Sequence, residues 1–195
     1  MIETTLSPER TGRITASRAF DVMAKGKGNH LFGTMALTYA NELANERLGV
    51  EEDGFTNFAM QWGIEHEHYA REIYEDSRNV IVAQPGFIKH PKYDFIGCTP
   101  DGVVGSNLLE IKCPQPKAHL DYLRNGIPPK YFAQVQFQMM VCGSEWCDFM
   151  TFNPKFPDRL KAKVYRIPAD KDFQADLLDR CIELDKLVTQ ILEAL

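Results

Sequence analysis

Pro100-Asp101-Gly102-Val103-Val104-Gly105-Ser106-Asn107-Leu108-Leu109-Glu110-Ile111-Lys112 reads as two short apolar strands joined by a Gly-Ser-Asn turn. Strand residues two apart share a face, so Glu110 and Lys112 point one way while Leu109 and Ile111 point the other. A hairpin pairing the two segments would bring Asp101 close to both. Two carboxylates and one ammonium on a single face suit metal-assisted cleavage of a phosphodiester. Mg²⁺ takes oxygen ligands from one or two carboxylates, water and substrate phosphate. Such an ion activates water and absorbs charge on the leaving oxygen, and a nearby lysine stabilises the crowded negative charge. The competing reading is an Asp-Gly turn followed by a solvated ion pair of little energetic worth. The apolar residues around Glu110 and Lys112 favour the site.

Outward from this stretch, the chain reads as alternating helices and strands. The expected strands are Val80–Val82, Gly86–Lys89, Phe95–Cys98, Gly102–Val104, Leu108–Cys113, Trp146–Phe152 and Ala162–Ile167. Thr15 or Ser17 reads as the cap of a short helix running to Ala24. Further helices are expected at Leu31–Leu48, ended by Gly49, and at Asn57–Ser77, where Phe58, Trp62, Tyr69 and Ile73 recur at helical spacing. The remaining helices are expected at Pro116–Leu123 and Pro129–Val141, with proline in the first turn, and at Asp170–Leu195. The fold class is therefore α/β, a central mixed β-sheet flanked by helices, with residues 1–195 forming one domain.

Bulk properties bound the function. The chain has 195 residues, 44% of them hydrophobic and 25% charged, an ordinary globular composition long enough to bury a sizeable core. No apolar run reaches the roughly 18 to 20 residues of a membrane span, and no secretory signal is visible at the N-terminus. The reading is a cytoplasmic protein. Five cysteines (Cys98, Cys113, Cys142, Cys147 and Cys181) without repeated close spacing suggest free thiols, with Cys98 and Cys113 as small core residues. The net charge of −5 argues against a protein that coats nucleic acid. Charge is unevenly spread: residues 10–27 hold Arg10, Arg13, Arg18, Lys25 and Lys27 against Asp21 alone. The last 26 residues hold seven acidic side chains against Lys171, Arg180 and Lys186 and read as a solvated helical face.

Four ordered blocks give the chain a resemblance. They are Arg10 with Ile14-Thr15-Ala16-Ser17; Trp62-Gly63 through Glu67; Thr99-Pro100-Asp101-Gly102 with Leu109-Glu110-Ile111-Lys112-Cys113-Pro114; and Tyr131-Phe132-Ala133-Gln134-Val135-Gln136. Pro-Asp followed after roughly ten residues by Glu-x-Lys resembles the PD-(D/E)xK nuclease signature. The flanking blocks narrow the resemblance to the phage lambda-type exonucleases, the YqaJ-like recombination nucleases. The resemblance implies a PD-(D/E)xK restriction-endonuclease-like core and a 5′-to-3′ exonuclease that degrades one strand of duplex DNA from its ends. The 3′ single-stranded overhangs left behind serve homologous recombination by strand annealing. It also implies Mg²⁺ as cofactor, two ions with Mn²⁺ as a substitute, a ring-shaped homotrimer, an annealing recombinase as partner, and a phage or prophage gene in a bacterial host. A structure- or sequence-specific endonuclease of the same fold is the alternative. An iron–sulfur relative does not fit the spacing of Cys142, Cys147 and Cys181.

The resemblance also assigns residues. Asp101, Glu110, Lys112 and Gln134 are the expected catalytic set, with Asp101, Glu110, the Ile111 carbonyl and Glu67 as metal ligands. Arg10, Ser17 and Thr99 are expected to bind a 5′-terminal phosphate, joined by Tyr131, Lys25 and Lys27 on the DNA. For Ser17 a plain helix cap, and for Glu67 a solvated helix face, remain open. His66 and His68, about 200° apart on a helix, do not readily share one ion. Gln136 and Gln138 read as polar contacts elsewhere on their helix, or a buried amide network. Phe55 and Phe58 read either as a strand-separating wedge or as core.

Overall fold

The computed structural model describes residues 8–28, 30–50 and 58–195. Phe55, and with it half of the expected wedge, lies outside the described residues.

Two sheets carry the fold where one was expected. The first has three strands, β1 (Ile14–Thr15), β2 (Ile88–Lys89) and β3 (Ile96–Cys98), in the order β1-β3-β2. The second has four, β4 (Gly102–Val104), β5 (Asn107–Lys112), β6 (Trp146–Phe152) and β7 (Ala162–Pro168), in sequence order. Both sheets are mixed: β1 runs parallel to β3 and β5 parallel to β6, while the other pairs are antiparallel. The expected strand at Val80–Val82 does not form. Val82 is buried as a packing residue, and the next residue, Ala83, makes an isolated bridge to Val103.

The decisive hairpin forms, with Gly105-Ser106 as its turn where Gly-Ser-Asn was expected, because Asn107 joins β5. Gly102 pairs with Leu109 and Val104 with Asn107, around a turn in which Gly105 has φ +63°. Gly102 has a second reason to be glycine: a Cβ there would collide with Cγ1 of Val82. Asp-Gly is thus a close-packing pair at the start of β4 and not the turn itself.

Helices cover the second sheet on both faces. On one side α3 (Phe58–Arg78) packs Ala70 and Tyr74 against Leu109, Ile111 and Met150. On the other, α5 (Pro129–Cys142) runs beneath Glu110, starting at Pro129 and ending at Gly143, whose φ of +69° provides the left-handed stop. The chain passes from β5 through α4 (Pro116–Asn125) and α5 before returning as β6, the crossover that a parallel strand pair requires. The helices α1 (Ala19–Met23), α2 (Thr34–Arg47) and α6 (Lys171–Glu193) pack with α5 over the first sheet, around Tyr39, Leu43, Phe137, Leu177 and Leu184. Asp170 caps α6 by accepting from the Phe173 N–H at 3.0 Å, and Asp172, Asp176, Asp179 and Glu183 of that helix face solvent, as expected.

The expected helix cap at Thr15 and Ser17 is replaced by other contacts. Ile14 and Thr15 pair with Ile96 and Gly97 as β1, followed by a 3-10 turn over Ala16–Arg18, and neither hydroxyl caps it. Competition from an available strand partner overrode the local capping preference. Ser17 Oγ is thereby free to accept from Arg10.

Candidate active site

Glu110 is the centre of the site. It lies on β5, has no exposed surface, and collects three donors. Lys112 donates its ammonium to Oε1. Gln134 Nε2 donates to the same oxygen at 2.6 Å, and Gln138 Nε2 to Oε2 at 2.7 Å. Asp101 enters from the start of β4, its Oδ2 accepting from the Ile111 N–H at 2.7 Å. The alternation of β5 does the sorting: Glu110 and Lys112 face α5, while Leu109 and Ile111 pack into the core beneath α3. A solvated ion pair, the competing reading of Glu-x-Lys, does not describe a carboxylate buried this completely.

The charges perturb one another. Burial first, and the Glu110 charge second, push the Asp101 carboxyl up to about 8, with Glu67 adding to the push. Burial alone would lower the Lys112 ammonium, but the Glu110 and Asp101 charges outweigh it and raise its pKa above the ordinary lysine value. Lys112 is therefore a fixed cation at neutral pH.

Beside this cluster opens a cavity of about 260 Å³. Asp101, Glu110, Lys112, Gln134 and Gln138 line it together with Arg10, Ser17 and Thr99. Arg10 Nη2 donates to Ser17 Oγ at 3.0 Å, so guanidinium and hydroxyl face the cavity as one unit. Residues as far apart in sequence as Arg10 and Gln138 thus share one pocket.

The YqaJ-like viral recombinase domain matches residues 7–145 of this chain, a span that includes every residue of that pocket. The chain belongs to the YqaJ-like viral recombinase family. Its structure is similar to that of an alkaline exonuclease, LHK-Exo, from Laribacter hongkongensis, at 34% identity and a TM-score of 0.87 over 95% of this chain and 92% of that one. LHK-Exo in complex with dAMP matches at 35% identity with the same TM-score and coverage. A phage related exonuclease from Haemophilus somnus 129PT shares the fold, with a TM-score of 0.76 at 14% identity, over 93% of this chain and 96% of that one. Among curated proteins, uncharacterized protein R354 of Acanthamoeba polyphaga mimivirus is 30% identical over 109 residues, 48% of this chain. That match spans 20% of the length of the viral protein.

In this YqaJ-like chain the other expected residues divide. Tyr131 stands next to the cluster, its ring 5.3 Å from Lys112 Nζ and stacked on Phe149 at 5.6 Å. Glu67 lies on α3 outside the pocket lining, where its Oε1 accepts from Arg71 at 2.5 Å. Its charge still reaches Asp101. Lys25 and Lys27 are not at this pocket. They line a separate cavity of about 670 Å³ with His30, Phe32 and Leu187, because the loop that carries them folds back against α6. His66 is engaged in packing, bonding the Trp62 carbonyl through Nδ1 at 2.8 Å and stacking on its ring. Phe58 is 70% exposed, which removes it from the core. Cys98 and Cys113 are buried as expected.

Gln138 is the site residue that sequence reading misplaced. The signal was present: Gln134 and Gln138 are one helical turn apart and share a face. Gln136, on the opposite face, is the structural amide. Its Nε2 donates to the Pro168 carbonyl at 2.8 Å, and its Oε1 accepts from Asp170 N and from Gln174 Nε2.

The residues suit a hard dication. Among the described residues no three His, Cys, Asp or Glu side chains form a closed metal cage, and Mg²⁺ is characteristically held by few carboxylates, with water and phosphate completing its shell. Asp101 and Glu110 would supply the oxygen donors. The upward push on Asp101 is the cost of two carboxylates in one buried space, which a cation between them relieves.

Proposed function

We propose that this protein is a Mg²⁺-dependent 5′-to-3′ exonuclease that digests one strand of duplex DNA from its ends, leaving 3′ overhangs for recombination by annealing. The observation that carries this reading is the shared pocket: Asp101, Glu110, Lys112 and Gln134 line the same cavity of about 260 Å³ as Arg10, Ser17 and Thr99. A terminal phosphate gripped by Arg10 and the two hydroxyls puts the adjoining phosphodiester near the charged cluster. Guanidinium binds phosphate bidentately, which fixes orientation as well as affinity. That LHK-Exo was solved with dAMP supports a site for a DNA nucleotide.

On this reading Asp101 and Glu110 would hold the metal, with the Ile111 carbonyl and Glu67 as further ligands. The ion, when bound, activates water and stabilises the leaving oxygen. The protein's own residues orient and stabilise. Lys112, held protonated, places a positive charge where negative charge develops at the phosphorus. Gln134 has a second amide proton with which to orient water or a phosphate oxygen, and the Tyr131 ring, 5.3 Å from Lys112 Nζ, favours the ammonium there. Lys25 and Lys27 line another cavity, so on this reading they meet the DNA away from the terminal phosphate. A trimeric ring and an annealing-recombinase partner rest on the family resemblance.

The test is linear duplex DNA labelled separately at each strand end, with and without 5′-phosphate, incubated with Mg²⁺ and the purified protein. Loss of the 5′-phosphorylated strand, slower without the phosphate, is expected. Cutting of closed circular plasmid would replace this reading with an endonuclease.

A further inference from the structure

We infer that Gln138 is a positioning residue for the reaction, locking the Glu110 carboxylate into one orientation from the pocket wall. This deepens the proposed function and rests on its assignment of Glu110 as a metal ligand.

Gln138 is fully buried, and its Nε2 donates to Glu110 Oε2 at 2.7 Å. Its Oε1 is also buried and, among the described residues, has no hydrogen-bond partner. An unmet buried acceptor costs stability, so an amide kept for structural reasons would have both ends satisfied. Gln136, two residues away on the same helix, is that case, bonded through both its nitrogen and its oxygen. Among the described residues the Gln138 side chain instead makes a single hydrogen bond, and its partner is Glu110. Lys112 and Gln134 both hold Oε1, so without Gln138 the carboxylate could pivot about that oxygen. The Gln138 donor pins the second oxygen and removes the pivot. Four residues separate Gln134 from Gln138, one turn of α5, and this spacing delivers one amide to each carboxylate oxygen. A metal ligand held in one rotamer binds its ion more tightly, and loss of such outer contacts typically costs about 10–100-fold in metal affinity or activity.

The test uses the full chain and Gln138→Met, a replacement of similar length without a donor. Thermal unfolding is recorded first. Mn²⁺ binding to the metal-free protein is then measured by calorimetry, alongside the Mg²⁺ dependence of duplex-end digestion and end binding without metal. The expected result is a folded variant with Mn²⁺ affinity weakened roughly tenfold or more, a raised Mg²⁺ requirement and unchanged end binding. Wild-type Mn²⁺ affinity and Mg²⁺ requirement in a folded variant would overturn the inference. If the Met variant does not fold, Gln138→Ser takes its place, and failure of both to fold makes Gln138 a structural residue, which also overturns it. Asp101→Ala serves as the control. If it leaves wild-type Mn²⁺ binding intact, the metal assignment has failed and not the role of Gln138 alone.

Discussion

The Ile111 N–H donates to Asp101 Oδ2 across 2.7 Å. The residue between Glu110 and Lys112 in sequence thereby ties down the third charged member of the cluster. Its side chain points into the core and its backbone points at the site, so one residue serves both. The tie holds only while β4 and β5 stay in register, and a slip by one residue would turn Glu110 into the α3 core.

Lys112→Ala should abolish cutting while sparing recognition of ends. Loss of one charge-stabilising donor typically costs about 10²–10³ in turnover. Single-turnover digestion beside a gel-shift on blunt duplex measures both quantities. A variant that still digests ends at wild-type rate would remove Lys112 from the mechanism.

Arg10→Ala should erase the preference for a 5′-phosphate. Hydrogen bonds to charged groups contribute about 1.5–3 kcal/mol, so the rate on phosphorylated ends should fall roughly 10–100-fold toward the unphosphorylated rate. Digestion of the two substrates in parallel gives the ratio. An undiminished preference would separate the Arg10–Ser17 pair from phosphate binding.

Metal binding should strengthen as pH rises toward about 8. Burial and the Glu110 charge raise the Asp101 carboxyl to about 8 in the folded protein, well above its unfolded value of about 3.9. The sign follows directly. The folded metal-free protein holds a proton that the unfolded chain releases, so stability from this group is full below pH 4 and is lost as pH rises to about 8. A cation must displace that proton, so apparent Mg²⁺ affinity should climb by up to about tenfold per pH unit below 8 and level off above it. Calorimetry at pH 6, 7, 8 and 9 tests this, and a flat profile would contradict the pairing of the two carboxylates.

Tyr74→Phe should destabilise the fold. The Tyr74 hydroxyl donates to Asp148 Oδ2 at 2.8 Å, and Arg166 reaches both oxygens of the same carboxylate, which has no exposed surface. Removing one donor from a buried acid costs about 1–3 kcal/mol. Urea unfolding should show the midpoint fall with an unchanged slope. An unmoved midpoint would mean that Arg166 alone satisfies Asp148.

The sequence by itself determined the α/β class, the β4–β5 hairpin, the cluster of Asp101, Glu110 and Lys112, and α6 with its acidic face. These follow from short-range rules: alternation of side chains along a strand, a glycine-containing turn, helical periodicity and capping. The tertiary structure alone decided the rest. Ile14 and Thr15 became a strand because β3 offered them a partner, and Val82 became a packing residue because Gly102 left room for it. Gln138 joined the site because α5 lies under β5 at a height that sets one turn of helix against one carboxylate. Lys25 and Lys27 left it because their loop folds against α6. Each of these rests on which surfaces meet across long stretches of chain, and local preference carries no information about that.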